Sequence, residues 1–233
     1  MQIKSALAGL TRFEWGLWLG SLSLILLSFV LAGTPDMWVL TASLLGATAL
    51  IFLARGEPLG QLLSILFALL YGYISLRFQY YGEMITYLGM TAPMAAASLI
   101  SWLRHPFEQG KSQVRVGELS AGRVVVLAVV TVLVTWMFYF VLKALHTPNL
   151  TLSTVSIATS FSAVGLTLLR SPYYALAYAA NDLVLIALWV LAGATDRSCI
   201  PMVTCFFIFL LNDSYGFFNW RRLRALQRGM EEI

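Results

Sequence analysis

Residues 123–143 read RVVVLAVVTVLVTWMFYFVLK, an apolar run with a cation at each end and no charge between them. About 20 such residues cross a hydrocarbon core of about 30 Å as a helix. Strict alternation of apolar and polar residues, the mark of a membrane strand, is missing. The run is one of a series. The 233 residues are 59% hydrophobic and 11% charged, with a mean hydropathy of +0.80. That balance excludes an ordinary soluble domain.

Eight membrane helices are expected, at 14–33, 36–54, 58–77, 81–103, 123–143, 149–169, 172–193 and 199–219. Turn and charge signals separate them, such as GTPD at 33–36, RGEP at 55–58, LRFQ at 76–79 and TDRS at 195–198. The segment 104–122, RHPFEQGKSQVRVGELSAG, is the long polar loop. Lys4 and Arg12 precede the first helix as they would a signal peptide. Its apolar stretch is long for a signal and lacks a convincing cleavage site, so it reads as a span.

Charge tests the count independently. Eight spans put both termini and the second, fourth and sixth loops on one side. That side holds Lys4, Arg12, Arg55, Arg104, Lys111, Arg115, Arg123, Arg170, Arg221, Arg222, Arg224 and Arg228. Only Arg77, Lys143 and Arg197 fall on the other. The positive-inside rule then makes both termini of this multi-pass membrane protein cytoplasmic. The net charge of +4 follows from this flanking pattern and does not indicate nucleic acid. Cys199 and Cys205 suggest neither a disulfide framework nor a metal site.

The second to fourth helices resemble the sixth to eighth. FLARGEPLGQ (52–61) parallels LLRSPYYALA (168–177), each with an arginine and then a proline opening the next helix. SWLRH (101–105) parallels NWRRL (219–223) at the end of each triplet. Two triplets joined directly would be inverted, because three is odd. The helix at 123–143 restores the orientation. The expected architecture is therefore all-α, an N-terminal helix followed by a parallel 3+1+3 bundle. Its segments are 1–35 (N-terminal segment and extra helix), 36–103 (first triplet), 104–148 (loop and connector), 149–220 (second triplet) and 221–233 (basic tail). Transporters built from repeats hold their substrate near the midplane, where the halves meet.

Polar residues inside the spans mark where such a site would lie, since an acidic residue at a helix centre costs about 2.5–3.5 kcal/mol. Tyr174, Tyr178 and Asn181 fall at i, i+4 and i+7 of one helix, with Asp182 one step around. Glu83, Tyr87, Met90, Thr91 and Met94 share a face of another, which Pro93 is able to bend. Gln61, Ser64, Tyr71 and Ser75 recur at helical spacing in the third, and Asn212, Asp213, Gly216, Asn219 and Trp220 in the eighth. Plainer readings stand beside these. Trp102, Trp220 and Tyr80 read as an interfacial belt. Glu83 is close enough to its helix start to lie at headgroup level. Ser and Thr inside spans usually bond their own helix or a neighbour, and Gly16-x-x-x-Gly20 is a weak packing motif.

Catalytic signatures are missing. The sequence has no Walker A motif, no H-E-x-x-H and no G-x-S-x-G, and His105 and His146 fall on opposite sides. No catalytic residue, metal ligand or cofactor is expected.

At YGEMITYLGMTAPM, RSPYYALAYAANDLVLIALWVL and FLLNDSYGFFNWRR the sequence resembles the PnuC family of bacterial vitamin transporters, from about residue 40 onward. Asn-Asp-x-Tyr-Gly-Phe-x-Asn-Trp is the most specific part of the likeness. The resemblance implies a fold like that of the small sugar transporters, a trimer, and uptake of nicotinamide riboside or a related NAD precursor. It also implies facilitated diffusion, with intracellular phosphorylation trapping the substrate. Where the family has Trp-x-x-Trp-x-x-x-Asn, this chain has Tyr174, Ala177 and Asn181, and Tyr178 is a substitute for the second aromatic. Tyr87 and Ala95 stand where members tend to have Asn and Gln.

A cationic pyridinium riboside needs aromatic faces, amides and carboxylates. Tyr87, Thr91, Tyr174, Tyr178, Asn181, Asp182, Asn212 and Asp213 are the expected substrate site. Thiamine or riboflavin on the same fold is the nearest alternative. A membrane sensor or enzyme is a remote one.

Overall fold

A computed structural model describes residues 9–33, 36–108, 111–194 and 199–231. Lys4, Arg197 and the TDRS turn lie outside the described residues. Eight helices there are long and apolar enough to cross a membrane. They are α1 (Arg12–Ala32), α2 (Met37–Ala54), α3 (Pro58–Arg77), α4 (Tyr81–Arg104), α5 (Ala121–Ala144), α6 (Leu150–Leu168), α7 (Tyr174–Gly193) and α8 (Ile200–Glu231).

Local chemistry sets their starts. Thr11 and Glu14 form a reciprocal capping box on α1. Asp36 caps α2 through the amides of Trp38 and Val39, and Ser120 caps α5. Pro58 occupies the first turn of α3, where its missing N–H costs nothing. In α4, residues Thr86–Thr91 widen into a π-helical turn just before Pro93. Proline has no N–H to offer the preceding turn, and a π turn absorbs that mismatch.

The two triplets, α2–α4 and α6–α8, meet reciprocally: α2 packs on α8, and α4 on α6. Their first turns repeat in detail. After α2, the amide of Gly56 bonds Leu53 O, that of Glu57 bonds Phe52 O, and that of Gly60 bonds Glu57 O. After α6, Arg170 bonds Thr167 O, Ser171 bonds Leu166 O, and Tyr174 bonds Ser171 O. The spacing along the chain is the same for every pair. The two arginines of FLARGEP and LLRSP are therefore not equivalent. Gly56, at φ 70°, matches Arg170, at φ 57°.

α5 connects the triplets and leaves most of its surface outward, with Thr131 and Leu142 its buried residues. Its inner contacts include Leu142 and Leu127, which lie so close to Gly82 and Gly165 that β-carbons there would come within 2.8 Å and 2.4 Å of them. α1 leans on α2 and α8. It is held by a Trp18 indole bond to Thr48 Oγ1 (3.1 Å) and a Tyr215 hydroxyl bond to Glu14 Oε1 (2.9 Å).

Three expectations are corrected. Trp102, Trp220 and Tyr80 are no interfacial belt: their exposures are 0%, 0% and 7%. Their rings fill the seam between helices, where indole N–H groups find backbone carbonyls. The last helix does not stop near residue 219 but runs to Glu231. The expected boundary was that of the apolar run, and helix-forming Leu, Ala, Gln, Arg and Glu carry the backbone onward. Glu83 is turned into the protein rather than out toward headgroups. It is 2% exposed, and its Oε1 accepts from Ser156 Oγ at 2.6 Å. Gly16 and Gly20 meet nothing within 4 Å, so that motif packs against no described part of this chain.

Candidate functional site

Between the triplets lies a cavity of about 50 Å³. Its walls come from α2 (Gly46, Ala49, Leu50, Leu53), α3 (Ser64, Phe67), α4 (Tyr87, Thr91), α7 (Tyr178, Asn181, Asp182) and α8 (Phe209, Asp213). Asn181 and Asp182 sit near the middle of α7. Every wall is a transmembrane helix, and both triplets contribute.

Helical periodicity places the polar groups. Asn181 is 1% exposed. Its Oδ1 takes hydrogen bonds from Thr159 Oγ1 (2.8 Å) and Ser160 Oγ (2.9 Å) on α6. Two hydroxyls thus fix the amide and leave its NH2 to serve a ligand. Asp182 on α7 and Asp213 on α8 line the same cavity. Asp182 Oδ2 and Thr91 Oγ1 are buried with no hydrogen-bond partner among the described residues. No lysine, arginine or histidine is among the described residues that line the cavity.

Aromatic rings close the space. Tyr87 meets Tyr71 edge-on at 4.3 Å and Phe67 at 6.0 Å. Phe67 in turn meets Phe209 at 5.3 Å. Tyr71 accepts a hydrogen bond from the Trp189 indole at 2.8 Å, which pins the cluster from α7. Gly46 allows Phe209 in: a β-carbon there would lie 2.2 Å from the ring tip. At about 50 Å³ the cavity is far smaller than the about 300–1,000 Å³ of a ligand pocket. An aromatic solute enters only when these rings part.

Of the residues expected at the site, Tyr87, Thr91, Tyr178, Asn181, Asp182 and Asp213 face this one cavity. Tyr174 stands one turn away, against Trp220 at 4.9 Å and Tyr178 at 6.1 Å. Asn212 turns to α1, giving hydrogen bonds to Ser21 Oγ (3.0 Å) and Ile208 O (2.8 Å). Gly216 leaves room for a helix: Ala175, Ala54 and the Tyr174 hydroxyl lie 3.6–3.7 Å from where its β-carbon would be. Ser64, Phe67, Phe209 and the α2 wall carry no signal in sequence that separates lining from core. Ser64 was visible only as one of several polar residues at helical spacing.

A cavity lined by aromatic and polar side chains at the seam of two parallel helix triplets, within a shell of membrane-spanning helices, is the construction of a membrane transporter. The comparisons with known proteins agree. The sequence profile of a family described as "Nicotinamide mononucleotide transporter" matches residues 36–222, and the chain belongs to that family. Two curated relatives are each named "Nicotinamide riboside transporter PnuC". One, from Neisseria mucosa, is 25% identical over 226 residues, covering 94% of this chain and 85% of the relative. The other, from Haemophilus influenzae, is 24% identical over 192 residues, 82% of each chain. A solved structure titled "Crystal structure of the Vitamin B3 transporter PnuC" superposes with a TM-score of 0.82 at 24% identity, covering 94% of each chain. These are transporters, not enzymes, and the parallel 3+1+3 bundle with its added first helix is their fold.

Proposed function

We propose that this protein takes up nicotinamide riboside across a bacterial plasma membrane by facilitated diffusion. The observation that carries the reading is the composition of the cavity: tyrosine and phenylalanine faces, one fixed amide, an acidic pair and no cation. A positively charged pyridinium ring suits aromatic faces and a carboxyl partner. Hydroxyls and an amide suit ribose and carboxamide. A phosphate on the same solute would meet acidic groups and find no cation, so the riboside is favoured over its mononucleotide. The curated relatives are named for the riboside, which supports the same choice.

Asn181, Asp182, Asp213, Tyr178, Tyr87 and Thr91 form the substrate site in this reading, Tyr174 supports it from one turn away, and Asn212 anchors α8 to α1. The triplets rock about the cavity and open it to each side in turn. Intracellular phosphorylation traps the solute. Both termini lie in the cytoplasm, on the side rich in Arg55, Arg115, Arg170 and Arg224. The outward faces of α1 and α5 meet lipid or neighbouring copies, in a trimer by family resemblance.

The test is a thermal-shift panel of nicotinamide riboside, its mononucleotide, thiamine and riboflavin on the purified protein, paired with uptake into proteoliposomes. The riboside is expected to raise the unfolding temperature and to equilibrate without an ion gradient. A shift with thiamine or riboflavin alone would replace the substrate. No flux of any of the four would overturn the transport reading.

A further inference from the structure

A second cavity, of about 320 Å³, lies at the arginine-rich end, away from the substrate pocket. Arg115, Arg170, Arg224 and Arg228 converge on it, with Glu118 and Glu231 at its sides. Membrane topology explains why arginines gather at this end. It does not explain their posture. An anchoring arginine extends its head into water. Here Nε and Nη1 of Arg170 and Nε of Arg224 are buried with no hydrogen-bond partner among the described residues. The two carboxylates are already engaged, Glu231 by Arg115 (2.5 Å) and Glu118 by Arg228 (2.7 Å). Arg170 and Arg224 line the cavity and enter no ion pair among the described residues, so an anion there would meet uncommitted guanidinium charge.

The backbone makes the same point. Arg170 adopts φ 57°, a left-handed conformation that side chains disfavour. The equivalent turn of the first triplet uses Gly56, at φ 70°. Arginine thus stands where glycine would be easier, and strain of this kind gathers at functional sites. Its guanidinium is also pressed by its setting. Burial, then Arg123 and Arg115, lower its pKa, and a bound anion would relieve both.

The walls are fixed. Gly117 N–H bonds Arg170 O at 2.8 Å, and a β-carbon on Gly117 would lie 2.2 Å from Leu169 O. Gln227 on α8 accepts from Val116 N–H at 2.8 Å and donates to Val114 O at 3.1 Å. The cavity therefore joins the loop before α5, the α6–α7 turn and the end of α8.

We propose that this arginine cage binds a phosphate group, held by the unpaired guanidiniums of Arg170 and Arg224. Guanidinium forks match phosphate oxygens in geometry and charge. The phosphate belongs either to a soluble phosphomonoester or to an anionic lipid headgroup. By tying the loop before α5 to a turn and a helix end of the second triplet, it stiffens this end of the bundle and slows the rocking of the triplets. If the transported solute is phosphorylated inside the cell, its trapped form carries the group this cage reads. That last step rests on the proposed function, whereas phosphate binding does not.

The experiment titrates inorganic phosphate and ribose 5-phosphate into the purified full-length protein, with sodium chloride at matched ionic strength as control. Unfolding temperature and calorimetric affinity are the readouts. Wild-type protein is expected to be stabilised by phosphate and not by chloride. Arg170→Gly, which suits the backbone, is expected to keep or raise the unfolding temperature without phosphate and to lose about tenfold or more in affinity. Arg224→Ala should lose affinity as well. Native mass spectrometry from phosphatidylglycerol-containing membranes separates the sources. Lipid retained by wild type and lost from Arg170→Gly identifies a headgroup, whereas a phosphate response without such retention identifies a soluble ligand. Equal phosphate affinity in wild type and Arg170→Gly, or a shift matched by chloride, would overturn the site. So would the absence of both a phosphate response and arginine-dependent lipid retention. Riboside uptake is read separately, so its failure would bear on the transport reading and not on the cage.

Discussion

The indoles of Trp102 and Trp220 meet at 5.3 Å, and each donates its N–H to a carbonyl of the opposite triplet. Trp102 bonds Thr167 O at 3.1 Å, and Trp220 bonds Leu53 O at 2.8 Å. Thr167 and Leu53 are equivalent positions, the carbonyls that also receive Arg170 and Gly56 amides in the turns that end α6 and α2. The crossing locks the ends of the two triplets to each other.

Phenylalanine at either position keeps a ring and removes the donor. Trp102→Phe and Trp220→Phe are each expected to cost about 1 kcal/mol, a typical net hydrogen bond. The double variant should depart from additivity, because the rings touch. Thermal unfolding of the three variants in detergent checks this. Fully additive losses would mean that the pair does not couple.

Asp182 and Asp213 present a different test. Asn at either position keeps the size and polarity of the side chain while removing the possibility of negative charge there. Asp182→Asn and Asp213→Asn are expected to fold as wild type and to lose about tenfold or more in uptake of a cationic riboside, roughly 1.4 kcal/mol. Unfolding temperature and proteoliposome flux, measured together, decide. Full flux in both variants would remove the acidic pair from the site.

Two asparagines one helix apart should separate binding from anchoring. Asn181→Ala exposes the Thr159 and Ser160 hydroxyls to the cavity and is expected to abolish uptake while the protein stays in the membrane. Asn212→Ala loses its bond to Ser21 of α1. It should cost about 1 kcal/mol of stability and leave the KM for the riboside unchanged. A KM raised tenfold in Asn212→Ala would bring that residue into the site.

Gly46 sets the position of Phe209. In Gly46→Ala the new methyl displaces the ring, at about 1–3 kcal/mol for an overpacked core. A lower unfolding temperature with reduced riboside affinity is expected. An unchanged affinity would show that Phe209 shifts without disturbing the cavity.

Much of the transmembrane architecture was legible because hydrocarbon imposes a length and a charge rule on every span. Asn181 and Asp182 stood out for the same reason, since polar groups in mid-span need a stated purpose. Trp220 misled, because tryptophan near a helix end has the same sequence context whether it faces headgroups or plugs a seam. Asn212 was ambiguous for a similar reason: periodicity gives a face of α8 but not whether α1 or the cavity lies opposite. Phe67 and Phe209 could not be told from core, as apolar lining and apolar packing use the same residues.

The sequence by itself determined eight spans, their alternating direction and the existence of two like triplets, because these follow from local hydropathy, charge and turn chemistry. The tertiary structure decided which polar residues share a cavity. It also showed that Gly56, not Arg55, is the counterpart of Arg170, and that Arg170 and Arg224 close a cage with the loop before α5. Those facts depend on which helix faces cross in space, and contacts between residues far apart in the chain leave no period in the sequence to read.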